Sequence, residues 1–332
     1  MTSRAKVGRV VLCGIAAAWL AACADADPGA GATAPDDPAA DVDPTARATG
    51  YTQTRYPIVL AHGMSGWKEL FGVYEYFYGI PAELRAGGAN VYVTSVSAFA
   101  SSEARGEQLL QQIEYIAAAS GAGKVHLIGH SQGGLDVRYV LAARPDLVAS
   151  VTTVGTPHQG ADLADWLLDH TSDGGFTRAV IDALGSALGF VLDILAGTDN
   201  PQDALAALAQ VSSDGMAAFN HKYPAGLPST YCGGGPASAN GVRFYSWSGT
   251  SVITNFLDPS DGPLGIASLF ASGQNDGLVG RCSSHFGQII RDDYGLNHLD
   301  EVNQILGATP IFGTSPKELF RAHANRLKNA GL

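Results

Sequence analysis

Val125-His126-Leu127-Ile128-Gly129-His130-Ser131-Gln132-Gly133-Gly134 is an apolar run that passes through a G-x-S-x-G pentapeptide into a helical pattern. Lys124 to Ile128 reads as a short strand with β-branched residues. Leu135, Val137, Tyr139, Val140 and Leu141 continue as a mostly buried helix that stops before Pro145. Strand, tight turn and helix in that order form a nucleophile elbow. A serine hydroxyl is a weak nucleophile, so it must protrude where a base can reach it, and flanking glycines let the backbone turn sharply enough. Ser131 is therefore the candidate nucleophile. The bland alternative is a turn with an idle serine, because the pentapeptide arises by chance in a chain with 41 glycines. The ordered context argues against it.

A serine on such an elbow needs a base and an orienting acid, and both follow it in the chain. His298, in the polar segment Leu296-Asn297-His298-Leu299-Asp300-Glu301, is the candidate base. His323 falls in an amphipathic C-terminal helix and His285 close after Cys282, so both read as surface or packing residues. Gly273-Gln274-Asn275-Asp276-Gly277 is a turn-rich carboxylate loop ahead of His298, which makes Asp276 the candidate acid. Taken alone, Asn-Asp-Gly is only a turn. Two backbone N–H donors must hold a tetrahedral oxyanion. Gln132 supplies one, and Met64 supplies the other at the end of the apolar strand Pro57-Ile58-Val59-Leu60-Ala61-His62-Gly63. His62 precedes the serine and is assigned to organising that loop.

Ala61-His62-Gly63-Met64, Gly129-His130-Ser131-Gln132-Gly133, Gly155-Thr156-Pro157-His158, Gln274-Asn275-Asp276-Gly277 and Asn297-His298-Leu299-Asp300-Glu301-Val302-Asn303-Gln304 resemble, in order, the secreted triacylglycerol lipases of pseudomonads and their relatives. The resemblance runs from about Tyr56 to Leu332. It implies an α/β-hydrolase fold, hydrolysis of triacylglycerol esters at a lipid–water interface through an acyl-enzyme, and a membrane-bound foldase partner. It also implies one structural calcium held by Asp258 and Asp300 with the backbone carbonyls of Gln304 and Ala308. Hard oxygen ligands suit that ion. Ala308 departs from the larger apolar residue usual there, which matters little where only a carbonyl coordinates.

The remaining features fit an extracytoplasmic enzyme. At 332 residues and 46% hydrophobic composition the chain can bury one substantial core. Asp and Glu exceed Lys and Arg, 31 against 20, for a formal net charge of -11, and no basic cluster points to nucleic acid. Residues 1–23 have a basic start and an apolar run from Val10 to Ala22, the layout of an export signal and too short to span a membrane comfortably. Leu20-Ala21-Ala22-Cys23 reads as a lipobox that makes Cys23 a lipid carrier, while Ala22-Cys23-Ala24 also fits ordinary small-x-small cleavage. Residues 24–50 read as a disordered acidic tether. The protein is expected to be secreted or tethered to the envelope, and monomeric. Cys232 and Cys282 most simply form one disulfide in an oxidising compartment. The resemblance implies the same bridge, tying the region near Asp276 to the segment before Arg243 to Trp247.

Strands at 58–61, 91–96, 125–128, 151–154 and 242–247 alternate with helices, so the fold class is α/β with a mainly parallel sheet, flanking helices and a helical lid. Leu109, Ile113 and Ile116 recur at helical spacing before Gly121, and Ser315-Pro316-Lys317-Glu318 has the spacing of a capping box. Within the catalytic domain, 51–332, the lid lies around 161–200. From Phe176 to Leu195 apolar residues recur helically on a segment otherwise mostly Ala and Gly. It reads as a core helix or as a lid over an apolar cleft, and the resemblance favours the lid. Rival functions are a cutinase-like or phospholipid esterase, and a lipid-anchored envelope protein that binds lipid without catalysis.

Overall fold

A computed structural model describes residues 50–64, 69–70, 74–172, 175–176, 201–310 and 313–332. The export signal, Cys23, the tether up to residue 49 and, beyond Phe176, the helical segment expected from Phe176 to Leu195 lie outside the described residues. Six parallel strands form the sheet: β1 Ile58–Ala61, β2 Val91–Val93, β3 Val125–His130, β4 Val148–Val154, β5 Val242–Gly249 and β6 Gln288–Tyr294. Their spatial order is β6-β5-β4-β3-β1-β2, and a two-residue strand, Ser238–Ala239, pairs antiparallel with β5. Interleaved helices are α1 Ile80–Ala86, α2 Ser102–Ala119, α3 Gly133–Ala143, α4 Asp162–Asp169, α5 Pro201–Val211, α6 Ser213–Lys222, α7 Asp261–Ala267 and α8 Pro316–Asn329. Among the described residues, no helix is long and apolar enough to cross a membrane.

Strands β1, β3 and β4 are buried along their whole length, as continuous apolar runs are when helices cover both faces of a parallel sheet. Alternate residues serve the two faces. Val59 and Ala61 pack with α2 and α3 through Leu109, Ile113, Ile116, Val137 and Val140. Ile58 and Leu60 pack with α1 and α8 through Ile80, Leu84, Phe320 and Ala324. A third apolar cluster joins α4, α5 and α6 through Leu163, Leu167, Leu208, Val211, Met216 and Phe219, with Met64 and Leu278 packed against it.

Two expectations need revision. Strand β6 was not foreseen, because Gln-Ile-Ile-Arg-Asp-Asp-Tyr is a polar, half-exposed edge and carries little apolar signal. The capping-box spacing at Ser315 does not produce the box: Ser315 is the N-cap of α8, but its side chain makes no cap hydrogen bond.

The chain runs from β1 outward to β2 and then back across β1 to β3. In a parallel α/β sheet, the crevice outside the carboxyl ends of strands at such a reversal is where ligands bind. Here that crevice receives His62, Gly63 and Met64 from the end of β1 and Ser131 from the end of β3.

Candidate active site

Ser131 stands at φ 53°, a left-handed conformation that non-glycine residues seldom adopt. Its N–H donates to Val154 O at 2.9 Å, and its carbonyl accepts from Gly134 N at 3.0 Å. The glycines on either side are demanded by contact rather than by flexibility. A Cβ on Gly129 would lie 2.3 Å from Gly133 O, and one on Gly133 would lie 2.4 Å from Ala61 O. Strand β3, helix α3 and strand β1 thus meet backbone to backbone, and the strained serine is held by that packing.

The loop at 274–281 is closed by a bridge between Asn275 and Gly280 and by Arg281 N donating to Gln274 O at 2.8 Å. At its tip, Asp276 is buried. Its Oδ1 accepts from the N–H groups of Leu278 and Val279 at 2.9 and 2.7 Å, and its Oδ2 accepts from His298 Nδ1 at 2.8 Å. His298 N also donates to Asp276 O at 2.8 Å, so the two residues are joined through backbone and side chain. With its Nδ1 proton committed to the carboxylate, the neutral His298 ring carries its free lone pair on Nε2. The His298 ring lies 4.6 Å, centre to centre, from the ring of His130, the residue before Ser131.

His130 is itself locked. Its Nε2 donates to His298 O at 3.0 Å, and its Nδ1 accepts from the Tyr76 hydroxyl at 2.7 Å. Burial drives its basicity well below the usual imidazole range, which keeps it neutral and in that tautomer. Beneath Asp276 lies Glu301, wholly buried, with Oε1 accepting from Gly249 N at 2.6 Å. Burial, reinforced by the charge of Asp276, raises Glu301 well above the usual carboxyl range and holds it neutral. A Cβ on Gly155 would sit 2.0 Å from Glu301 Oε2 and 3.2 Å from Asp276 Oδ2, which explains why the Gly-Thr-Pro-His segment begins with glycine. His130, His298 and Glu301 place possible ligand atoms close together. The hydrogen bonds that His130 Nε2 and His298 Nδ1 already make read as a proton-ordering network rather than a metal centre.

The loop after β1 is fastened from behind by Arg105 of α2. Its Nη2 donates to the carbonyls of His62 and Gly63 at 2.7 and 3.2 Å, its Nη1 to Ser97 O at 2.7 Å, and its Nε to Asp136 Oδ2 at 2.9 Å. Tethering the carbonyls of residues 62 and 63 fixes the peptide planes that lead to Met64. His62, buried, completes the fastening by accepting from Val96 N at 3.2 Å through Nε2. A Cβ on Gly63 would be 2.8 Å from Ser131 Cβ, so this loop lies directly against the elbow. Gln132 is the N-cap of α3, where the first N–H groups of a helix lack intrahelical partners and favour negative charge.

Asp258 and Asp300 are both buried, and each carries one oxygen without a hydrogen-bond partner, Oδ2 of Asp258 and Oδ1 of Asp300. The other oxygens are used: Asp258 Oδ1 accepts from Ser260 N at 2.7 Å, and Asp300 Oδ2 from Asn297 N at 3.0 Å. Burial first, with Asp258 and Asp261 adding repulsion, pushes Asp300 up to about 7. Two carboxylates close enough to repel, each with an orphaned oxygen, suit a hard divalent ion. Gln304 follows in a turn where Asn303, Ile305 and Leu306 all have positive φ, and its side chain donates to the carbonyls of Glu75 and Tyr76. Ala308 closes that turn, its N donating to Ile305 O at 3.1 Å. Cys232 and Cys282 are joined in a disulfide with Cα atoms 4.5 Å apart, at the end of the Asp276 loop.

Glu301, Arg105, Tyr76 and Asp261 were not singled out in the sequence. Asp261 Oδ1 accepts from Asn297 Nδ2 at 2.9 Å, while its Oδ2 accepts from the N–H groups of Thr254 and Asn255, which joins α7 to the His298 loop. Glu301 falls in a segment quoted for its pattern, and Arg105 lies on a helix whose polar residues read as surface. No local pattern marks a buried arginine whose partners Asp136 and His62 stand 31 and 43 positions away.

Residues 56–285 match the alpha/beta hydrolase fold family. A triacylglycerol lipase of Vibrio cholerae is 52% identical over 284 residues, covering 85% of this chain and 91% of that protein. A triacylglycerol lipase of Burkholderia plantarii is 41% identical over 96% of this chain and 97% of its own length. Among solved structures, a mature lipase of Bacillus licheniformis superposes with a TM-score of 0.54 at 19% identity, over 74% of this chain and 86% of that one, a likeness of fold.

The Arg105–Asp136 pair is fully buried, and removing one partner of such a pair strands the other in low dielectric. Arg105→Leu is expected to cost about 3–5 kcal/mol in urea unfolding, and adding Asp136→Asn should recover part of that loss. A double variant no more stable than the single one would show that the arginine acts through its carbonyl contacts alone.

Proposed function

The chain belongs to the triacylglycerol lipases of the α/β-hydrolase family, and from that membership and its site geometry we propose that it cleaves the carboxylic esters of triacylglycerols through an acyl-enzyme on Ser131. The observation that carries the reading is the buried His298–Asp276 hydrogen bond beside the strained serine elbow. In this reading Ser131 Oγ attacks the ester carbonyl carbon while His298 Nε2 takes the hydroxyl proton. Asp276 accepts from Nδ1 throughout and stabilises the imidazolium. The N–H groups of Met64 and Gln132 receive the developing oxyanion. His298 then returns the proton to the departing glycerol oxygen. Water then gives a proton to His298 and attacks the acyl carbon, the bond to Ser131 Oγ breaks, His298 returns the proton to Oγ, and the fatty acid leaves. Glu301, neutral, adds no second negative charge to compete with Asp276. Relatives that are triacylglycerol lipases over most of their length leave the cutinase-like, phospholipid and purely lipid-binding readings without comparable support.

Calcium belongs to the same proposal as a structural ion on Asp258 and Asp300, with the carbonyls of Gln304 and Ala308, bracing the loop that carries His298. Secretion through residues 1–23, with Cys23 as a lipid carrier, a foldase partner and a monomeric state complete the reading.

Ser131→Ala is expected to lower hydrolysis of emulsified triolein and of a dissolved short-chain ester by about three or more orders of magnitude, with unchanged thermal melting. Substantial activity in the folded variant would overturn the assignment. The calcium proposal has a signed pH dependence. Asp300 has a folded value of about 7 against an ordinary 3.8, so the metal-free native state holds a proton that the unfolded chain releases. Its contribution to stability therefore falls as pH rises from about 4 to about 7. Calcium replaces that proton. A chelator should thus lower Tm little near pH 5 and markedly near pH 8, and a Tm indifferent to chelator at alkaline pH would remove the ion. Intact-mass measurement of the mature protein tests the anchor: a diacylated Cys23 at the N-terminus is expected, and an unmodified terminus after Ala24 would mean ordinary secretion.

A further inference from the structure

Exposed apolar side chains are not scattered over this molecule. Among the described residues, the large hydrophobics that stand open to solvent are three tyrosines, Tyr51, Tyr115 and Tyr231, and six residues without a polar atom: Ile253, Phe256, Leu257, Ile266, Leu269 and Leu306. All six fall on two neighbouring segments. Residues 251–257 lie against α7, because Ile253 Cδ1 is 3.8 Å from the Cβ position of Gly265, and Thr254 N and Asn255 N donate to Asp261 Oδ2 at 2.7 and 2.8 Å. On their other side, Asn255 Nδ2 donates to Thr309 O at 3.0 Å, which brings in the turn that bears Leu306. Ile253, Phe256 and Leu257 therefore sit between Ile266 and Leu269 on one flank and Leu306 on the other.

The patch is as free of charge as it is apolar. From Thr250 to Gly273 the charged residues are Asp258 and Asp261, both buried, and from Asn303 to Ser315 there are none. Phe256 is 82%, Leu269 78%, Ile253 74% and Leu257 70% exposed, more than a soluble surface gains from showing them together. Leu306 is moreover held out at φ 56°, a conformation costly for a branched side chain. The backing of the patch is the chemistry itself. Leu264 of α7 fills the space beside Gly277, next to Asp276, and Asp261 holds Asn297, next to His298.

We infer that Ile253, Phe256, Leu257, Ile266, Leu269 and Leu306 form a fixed platform that inserts into the surface of a neutral lipid phase, distinct from the segment 177–200 and rigidly joined to the acid and base loops. The inference rests on the proposed lipase function for its occupant. A net charge of -11 disfavours anionic surfaces, and a patch without charge adheres through apolar burial, which salt does not screen. A triglyceride droplet matches that chemistry.

The test is the triple variant Phe256→Ser, Leu257→Ser, Leu269→Ser, all solvent-facing, with an unchanged Tm as the control for folding. Flotation with phosphatidylcholine-coated triolein droplets is expected to need at least about tenfold more lipid for half-binding, since each fully inserted side chain is worth about tenfold or more. Wild-type binding should be insensitive to added salt, and kcat/KM on dissolved p-nitrophenyl butyrate should be the same in both proteins. Droplet binding of the variant equal to that of the wild type overturns the platform. So does a concentration-dependent wild-type dimer that the substitutions dissociate, since the patch would then face a second copy. Flotation is read independently of hydrolysis: a wild-type protein that floats but cleaves neither ester defeats the lipase reading and leaves the platform standing.

Discussion

Three backbone segments meet at the end of β3 with no room for a side chain between them, and this close approach is the constraint on which the site depends. Gly129 faces the backbone of Gly133, and Gly133 faces that of Ala61. The chain leaving β3 can then only enter α3 through a left-handed residue, and that residue is Ser131. The cost of such a residue, of order 1–3 kcal/mol, is offset by the burial of β1, β3, β4 and α3 around it. Because the elbow touches β1, the loop carrying Met64 is positioned by the same contact, and Arg105 only has to stop its carbonyls from turning.

Negative charge is handled in three different ways within a few residues of His298. Asp276 accepts from two N–H groups and an imidazole N–H. Glu301, one layer deeper, has a single N–H donor and stays neutral. Asp300 and Asp258 each retain an unpartnered oxygen, an arrangement that a divalent cation would complete. Desolvation is the first cause of the raised values of Glu301, Asp300 and Asp258. The segment 297–304 thus carries a candidate base, a carboxyl raised by burial and a candidate metal ligand.

The same economy links chemistry to surface. Helix α7 braces the Asp276 and His298 loops with Leu264 and Asp261 and turns Ile266 outward, with Leu269 just beyond its end.

Much of the fold was legible in the chain. The apolar runs at 58–61, 125–128 and 151–154 signal strands, which the structure shows at Ile58–Ala61, Val125–His130 and Val148–Val154, buried along their length with alternate residues on the two faces. The elbow, the order of Ser131, Asp276 and His298, and the cysteine pair were also local or ordered signals, and the structure brings Asp276 to His298 and Cys232 to Cys282. Strand β6 was not legible, because an edge strand needs few apolar residues. Nor were Arg105, Tyr76 and Glu301, whose parts come from distant partners that periodicity cannot report. The exposure of Phe256, Leu257 and Leu269 was equally hidden, because hydrophobicity along a chain does not say which side chains find a partner. Sequence determined which residues could do chemistry, because nucleophile, acid and glycine carry their signatures locally. Tertiary structure alone decided which were buried, paired or left facing water, because solvation and charge depend on neighbours brought from anywhere in the chain.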